Sequence, residues 1–151
     1  MGMSGGGKGS SVTIEERIAA PPEVVAAFVG DFRNARLWMV GVERIEPLGE
    51  DVYRLEVESP IGRIRPEVRV LEHSSTTVRW VYDSAVEGGG LVEISPDANG
   101  GCRVSYDGEF HLKRGFLNRA ARLVGAERFA RNNGERSLSR LKHLMEARRL
   151  V

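Results

Sequence analysis

The chain has 151 residues, 41% of them hydrophobic and 28% charged, with a net charge of +1. That length suits one domain with its own core, since domains commonly run to on the order of 100–150 residues. A single cysteine, Cys102, excludes an internal disulfide framework and fits a reducing, cytoplasmic setting, and no stretch reaches the roughly 20 apolar residues of a membrane span.

In chain order, residues 1–10 are Gly- and Ser-rich and lack the apolar core of a signal peptide. They miss a phosphate loop because Gly9, not Ser or Thr, follows Lys8, and they miss a myristoylation pattern because residue 6 is Gly. A disordered tail over 1–10 and a single domain over 11–151 are expected. From Val12 to Ile18 apolar residues alternate with polar ones, and Glu16 is the exception on the apolar face. Pro21-Pro22 ends this strand, and Pro22 suits the first turn of a helix over Glu23 to Gly30 with Val24, Val25, Phe28 and Val29 as its buried stripe. Asp31 then caps a second short helix through about Leu37.

Strands follow at Val42 to Leu48, Val52 to Glu58, Arg63 to Leu71, Thr77 to Ser84 and Leu91 to Ser95. Pro66 marks the third of these as an edge or an irregularity, because proline cannot donate to a ladder. Gly88-Gly89-Gly90 is read as a lead into the next strand, and Asn99-Gly100 as a hairpin turn that needs positive φ. Alternation then runs from Cys102 to Leu112. Short connections throughout make one antiparallel sheet of seven strands the economical topology. The C-terminal stretch carries two apolar faces out of register, Leu117 to Val124 and Ala130 to Met145, which predicts a break at Gly125 and a main helix to about Arg148. Arg128, Asn132, Glu135, Arg136, Ser139, Arg140 and His143 make up its wet face.

Charge is unevenly placed. Residues 1–107 carry 11 Lys/Arg against 17 Asp/Glu, and residues 108–151 carry 11 against 4. A basic helix lying on an acidic sheet produces this pattern, and so does a surface for RNA, an anionic membrane face or a larger complex. His73, His111 and His143 stand apart on polar positions without metal-ligand spacing, so no metal or other cofactor is expected. Cys102 begins a strand with inward alternation and is read as a buried thiol.

The order of elements, with Ala20-Pro-Pro-Glu23, Asp31 and Trp38 between the first two strands and a last helix ending Leu138-Ser-Arg-Leu-Lys-His-Leu-Met-Glu146, resembles the superfamily of StAR-related lipid-transfer domains and the birch-pollen allergen. Within it the chain is similar to the polyketide cyclase/dehydrase and lipid-transport group, which includes the CoxG-type subunit of carbon monoxide dehydrogenase. The resemblance covers about residues 12–148 and implies an α+β helix-grip fold, in which a curved sheet wraps a long helix and leaves a pocket.

Alternation places Tyr53, Leu55, Val68, Trp80, Tyr82 and Tyr106 inward, and Phe110 with them. Trp38 from the short helices and Leu138 and Leu141 from the last helix complete the candidate ligand-binding walls. Tyrosine and tryptophan suit a site where an apolar body meets one polar partner, and they equally suit an ordinary core whose hydroxyls reach the rim. An empty cavity of ~300 Å³ would cost ~7 kcal/mol, so water, ligand or side chains must occupy such space. Three readings follow. One is a binding or carrier protein for a lipid, isoprenoid or polyketide-like ligand. Another is a cyclase or dehydratase in which Glu16 and Tyr106 move protons; Glu16 is also placed to reach the rim or pair with an arginine. The last is an accessory protein that docks through its basic C-terminal helix. Neither DNA binding nor membrane insertion is expected.

Overall fold

The computed structural model describes residues 10–59, 62–83, 86–112 and 126–149. Eight strands form one antiparallel sheet. They are β1 (Ser10–Ile18), β2 (Val42–Gly49), β3 (Val52–Ser59), β4 (Gly62–Ile64), β5 (Glu67–His73), β6 (Thr77–Tyr82), β7 (Val86–Pro96) and β8 (Cys102–Leu112). Their order is β1-β8-β7-β6-β5-β3-β2, with β4 paired to β3 off this path. Seven strands thus make the continuous sheet, and the eighth arises where the expected Arg63 to Leu71 strand breaks at Arg65-Pro66. The buried Pro66 has no N–H to give, but its carbonyl accepts from Leu55 N at 2.9 Å.

Three helices cover the concave side. Helix α1 (Pro22–Gly30) has proline in its first turn and buries Val25, Ala26, Phe28 and Val29. Val24, expected in that stripe, is 41% exposed, and Ala26 takes its place. Asp31 caps the next segment by accepting from Arg33 N, and that segment is a 3-10 turn (Phe32–Asn34) running into the short α2 (Ala35–Trp38) rather than one continuous helix. Helix α3 (Ala126–Arg149) is the long one. The predicted break at Gly125, the Leu117 to Val124 face and the tail over residues 1–9 lie outside the described residues.

Polar contacts fix the direction of α3 across the sheet. Ser137 is 3% exposed, and its Oγ accepts from Val40 N at 2.9 Å; Asn133 Nδ2 donates to Val40 O at 2.7 Å. Near the C-terminus, Lys142 Nζ donates to Arg17 O at 3.1 Å, and Glu146 Oε2 accepts from Ala19 N at 2.8 Å and from Lys142 at 2.7 Å. The last turns of α3 therefore lie at the Ile18 end of β1, and its first turns lie toward the opposite end of the sheet.

The remaining differences from the sequence reading are local. Gly88, Gly89 and Gly90 stand inside β7, not ahead of it. A Cβ on Gly89 would run into the Trp80 carbonyl, so only glycine permits this approach of β7 to β6. Asn99 and Gly100 take φ of 63° and 78°, as the turn requires. On the convex side Arg63, itself half-exposed, is within ion-pair distance of Glu43, Glu56 and Glu58, and such solvent-screened pairs have small energetic weight. No described helix is long and apolar enough to cross a membrane.

Candidate functional site

Strand register arranges the concave face in transverse rows. Nearest the Ile18 end, Pro96, Cys102 and Ile18 are partners, followed by Ile94, Val104 and Glu16. The middle row is His73 at its exposed end, then Val78, Val92, Tyr106 and Ile14. Beyond it come Val70, Trp80, Gly90, Gly108 and Val12, and then Tyr53, Val68 and Tyr82. All three tyrosines and both tryptophans of the chain are gathered on this side.

Their rings form a connected series. Phe32, brought in by the 3-10 turn, lies 5.6 Å from Tyr53 and 5.3 Å from Trp80 between centroids. Trp80 stacks on Tyr106 at 6.3 Å with an interplanar angle of 21°, and Tyr106 meets Trp38 edge-on at 6.5 Å. Two glycines make room for this. A Cβ on Gly90 would overlap the Trp80 indole, and one on Gly108 would stand 2.5 Å from the Tyr106 hydroxyl. Gly90 and Gly108 are themselves register partners, so the indole and the phenol lie over adjacent glycines of neighbouring strands. From above, Gly134 of α3 approaches the Tyr106 ring and Ile14 closely enough that its missing side chain is part of the fit.

Electrostatics separates the tyrosines. Burial pushes the Tyr106 phenol far above its usual range, and the nearby Tyr82 phenol and Asp107 push in the same direction. Burial also raises Tyr82. Both residues nevertheless keep some accessible surface. Trp80 is 1% exposed, and its Nε1–H faces the Tyr82 oxygen without closing a hydrogen bond, which leaves it without a partner. Tyr53 differs, because its phenol is raised first by burial and then by Asp31 and Asp51, which places it at a charged rim.

Among the other sequence candidates, Trp38, Leu55 and Val68 are buried and take part in the same core. Leu138 and Leu141 are buried one and two turns past Gly134, toward the aliphatic rows. Phe110 occupies a β8 position between Gly88 and Ser10, and its side chain lies outside the described residues. Glu16 is half-buried on the inward side, where its Oε1 accepts from Arg17 N at 3.2 Å. Sequence reasoning missed Phe32 and Gly134. The first sits in a turn with no period to read, and the second is a glycine whose use depends on what lies beneath it.

In the row at the Ile18 end, Cys102 is fully buried and burial raises its thiol. His73 is exposed and 3.5 Å from Asp51, and His143 is exposed with Nδ1 at 2.7 Å from Ser139 O. The His111 side chain lies outside the described residues. No group of three or more His, Cys, Asp or Glu with metal-binding geometry occurs among the described residues. The outer face of α3 borders a groove of about 480 Å³ lined by Val40, Glu135, Arg136, Ser139, Arg140 and His143.

Solved structures share this architecture. A START superfamily protein from Mycobacterium smegmatis superposes with a TM-score of 0.74 at 15% identity, covering 91% of this chain and 97% of that one. A protein from Thermus thermophilus gives 0.71 at 20% identity, covering 91% and 97%. The di-domain ARO/CYC StfQ from the steffimycin biosynthetic pathway gives 0.70 at 12% identity, covering 95% of this chain and 52% of that one. No curated protein matches the sequence. The fold is thus the START-like helix-grip fold, and the sequence pattern for polyketide cyclase/dehydrase and lipid transport matches residues 10–146, so the chain belongs to that family.

Proposed function

We propose that the protein binds a small hydrophobic ligand of lipid, isoprenoid or polyketide-like type between the concave face and α3, as a cytoplasmic carrier. One observation carries this reading: the chain's tyrosines and tryptophans converge on that face over a glycine pair, and two of the tyrosines combine deep burial with accessible surface. In this reading Trp38, Tyr53, Trp80, Tyr82 and Tyr106 form the walls with Leu55 and Val68 behind them, Phe110 extends them, and Leu138 and Leu141 close the aliphatic end. Native mass spectrometry of freshly purified protein against its denatured mass tests it. A bound species of lipid-like mass is expected; equal masses, together with failure of an apolar fluorescent probe to bind, remove the reading.

A cyclase or dehydratase role has less support. Tyr106 holds its proton too firmly to act as a base near neutral pH, which leaves it only hydrogen-bond donation to a carbonyl. Glu16 is the remaining candidate for proton transfer, and Glu16→Gln would abolish turnover of a polyketone while leaving its binding intact. Docking of an anionic macromolecule on α3 is favoured by one feature, the groove that brings Arg136, Arg140 and His143 together. Retention on an anionic matrix that ignores salt would remove it.

A further inference from the structure

We infer that the groove on the outer face of α3 holds a terminal phosphate group through Arg136, Arg140 and His143. This rests on the docking reading of α3 above and specifies the anion. Charge pairing separates the two sides of the molecule. On the sheet side Arg17, Arg54, Arg63, Arg65, Arg69 and Arg103 each have a carboxylate within ion-pair distance. Arg136 and Arg140 are exposed and have none among the described residues. Glu146, the acid that α3 sends toward β1, is taken up by Lys142 and the Ala19 N–H. The positive charge on this face of α3 is therefore not neutralised by the sheet beneath it.

Position turns that charge into a site. Arg136, Ser139, Arg140 and His143 recur at helical spacing, so they share one face with Cβ atoms about 5–6 Å apart from turn to turn. Val40 forms the facing wall, fixed there because its N–H donates to Ser137 Oγ at 2.9 Å and its carbonyl accepts from Asn133 Nδ2 at 2.7 Å. His143 Nδ1 lies 2.7 Å from Ser139 O, so that nitrogen carries the proton and Nε2 is left for another partner. Glu135 also lines the groove, but it is within ion-pair distance of neither arginine. Hydrogen-bond chemistry then selects the anion. One guanidinium fork satisfies a carboxylate, whereas a terminal phosphate brings three acceptor oxygens and close to two charges, enough for two forks from successive turns. A groove of about 480 Å³ is larger than a phosphoryl group, and Val40 with the arginine stems gives the rest of the molecule apolar surface. No Phe, Tyr or Trp lines the groove among the described residues, so the bases of an RNA strand find no such ring to stack on.

Phenyl phosphate, benzoate and oligouridylate, titrated into the full-length protein by NMR, test this. Phenyl phosphate is expected to bind about tenfold tighter than benzoate and to shift the Ser139, Arg140 and His143 amides. Arg136→Gln and Arg140→Gln should each weaken it about tenfold, and Arg140→Lys, which keeps the charge and loses the fork, about threefold. Arg131→Gln, an exposed change on the same helix outside the groove, should leave it unchanged. Phosphatidylcholine vesicles matched in surface charge with phosphatidate or with phosphatidylglycerol identify the source of the phosphate. A preference for phosphatidate that Arg140→Gln removes supports the site and assigns it to a lipid headgroup; binding of phenyl phosphate without that preference supports it and assigns it to a soluble ester. Equal affinity for phenyl phosphate and benzoate, full retention in Arg140→Lys, or oligouridylate binding that Arg131→Gln weakens as much as Arg140→Gln overturns the phosphate site and leaves general docking of anions on α3 standing. Binding of none of these anions overturns both.

Discussion

The two ends of the concave face fill space in different ways. At the Ile18 end, Ile18, Cys102, Val104, Leu141 and Met145 are all fully buried, and the polar contacts of Lys142 and Glu146 lock α3 over them. At the other end the floor is a glycine pair, the walls are aromatic, and the tyrosines keep accessible surface. The first end gains stability from dense aliphatic contact. The second holds rigid rings in place by stacking over the glycine pair. Stability and binding should therefore be separable along one sheet, and substitutions should divide by row.

The largest effect on folding is expected at the aliphatic end. Leu141→Ala removes a fully buried side chain from beneath a helix pinned on both sides, so the cavity cannot collapse easily. A loss of about 3 kcal/mol is expected, roughly 6–12 °C in Tm for a domain of this size. Thermal unfolding measures it, and affinity for an apolar probe, scored on the folded protein, should stay within twofold. A larger change in affinity would show that the two ends are coupled.

Gly90→Ala sharpens the contrast from the other side. Its new methyl would overlap the Trp80 indole, which cannot swing away because Phe32 and Tyr106 hold its neighbouring faces. Overpacking of this kind costs about 1–3 kcal/mol. Probe binding should fall by more than it does in Leu141→Ala. If binding is unaffected while stability drops, the ligand does not contact the Trp80 face.

Ser137→Ala comes next. The substitution takes from Val40 N its acceptor at a buried position on α3, for an expected loss of about 1–2 kcal/mol in urea unfolding. An unchanged midpoint would mean that water replaces the hydroxyl.

How far the sequence reveals this division depends on which signals are periodic. Alternation locates the strands and the inward tyrosines, because a pleated strand half exposed to water must repeat every two residues. Proline marks the break between β4 and β5 for the same local reason. The glycines in β7 mislead, since a Gly-Gly-Gly run reads as a linker when nothing nearby says that a tryptophan from the next strand lies across it. Ser137, the one buried polar residue among those described, is invisible for a related reason. Its partner is Val40, 97 residues away in sequence, and no spacing rule connects them.

The smallest effect expected concerns the latch at the aliphatic end, and it depends on pH. The Lys142 ammonium, then the Ala19 N–H, hold the Glu146 carboxyl below the ordinary glutamate range. A carboxyl whose folded value is depressed contributes its full stabilisation above the unfolded value of about 4.3, and that contribution disappears as pH falls through the lower folded value. The side chain is 30% exposed, so solvent screening keeps the contribution to about 1 kcal/mol or less. Glu146→Gln should accordingly lie about 2–4 °C below the wild type in Tm at pH 7, and the gap should close near pH 3. Lys142 keeps its bond to Arg17 O in both proteins, so α3 stays in place and the comparison isolates one charge. A gap that persists at pH 3 would mean that Glu146 acts through packing against β1, and the polar latch would then be no different in kind from the aliphatic contacts beside it.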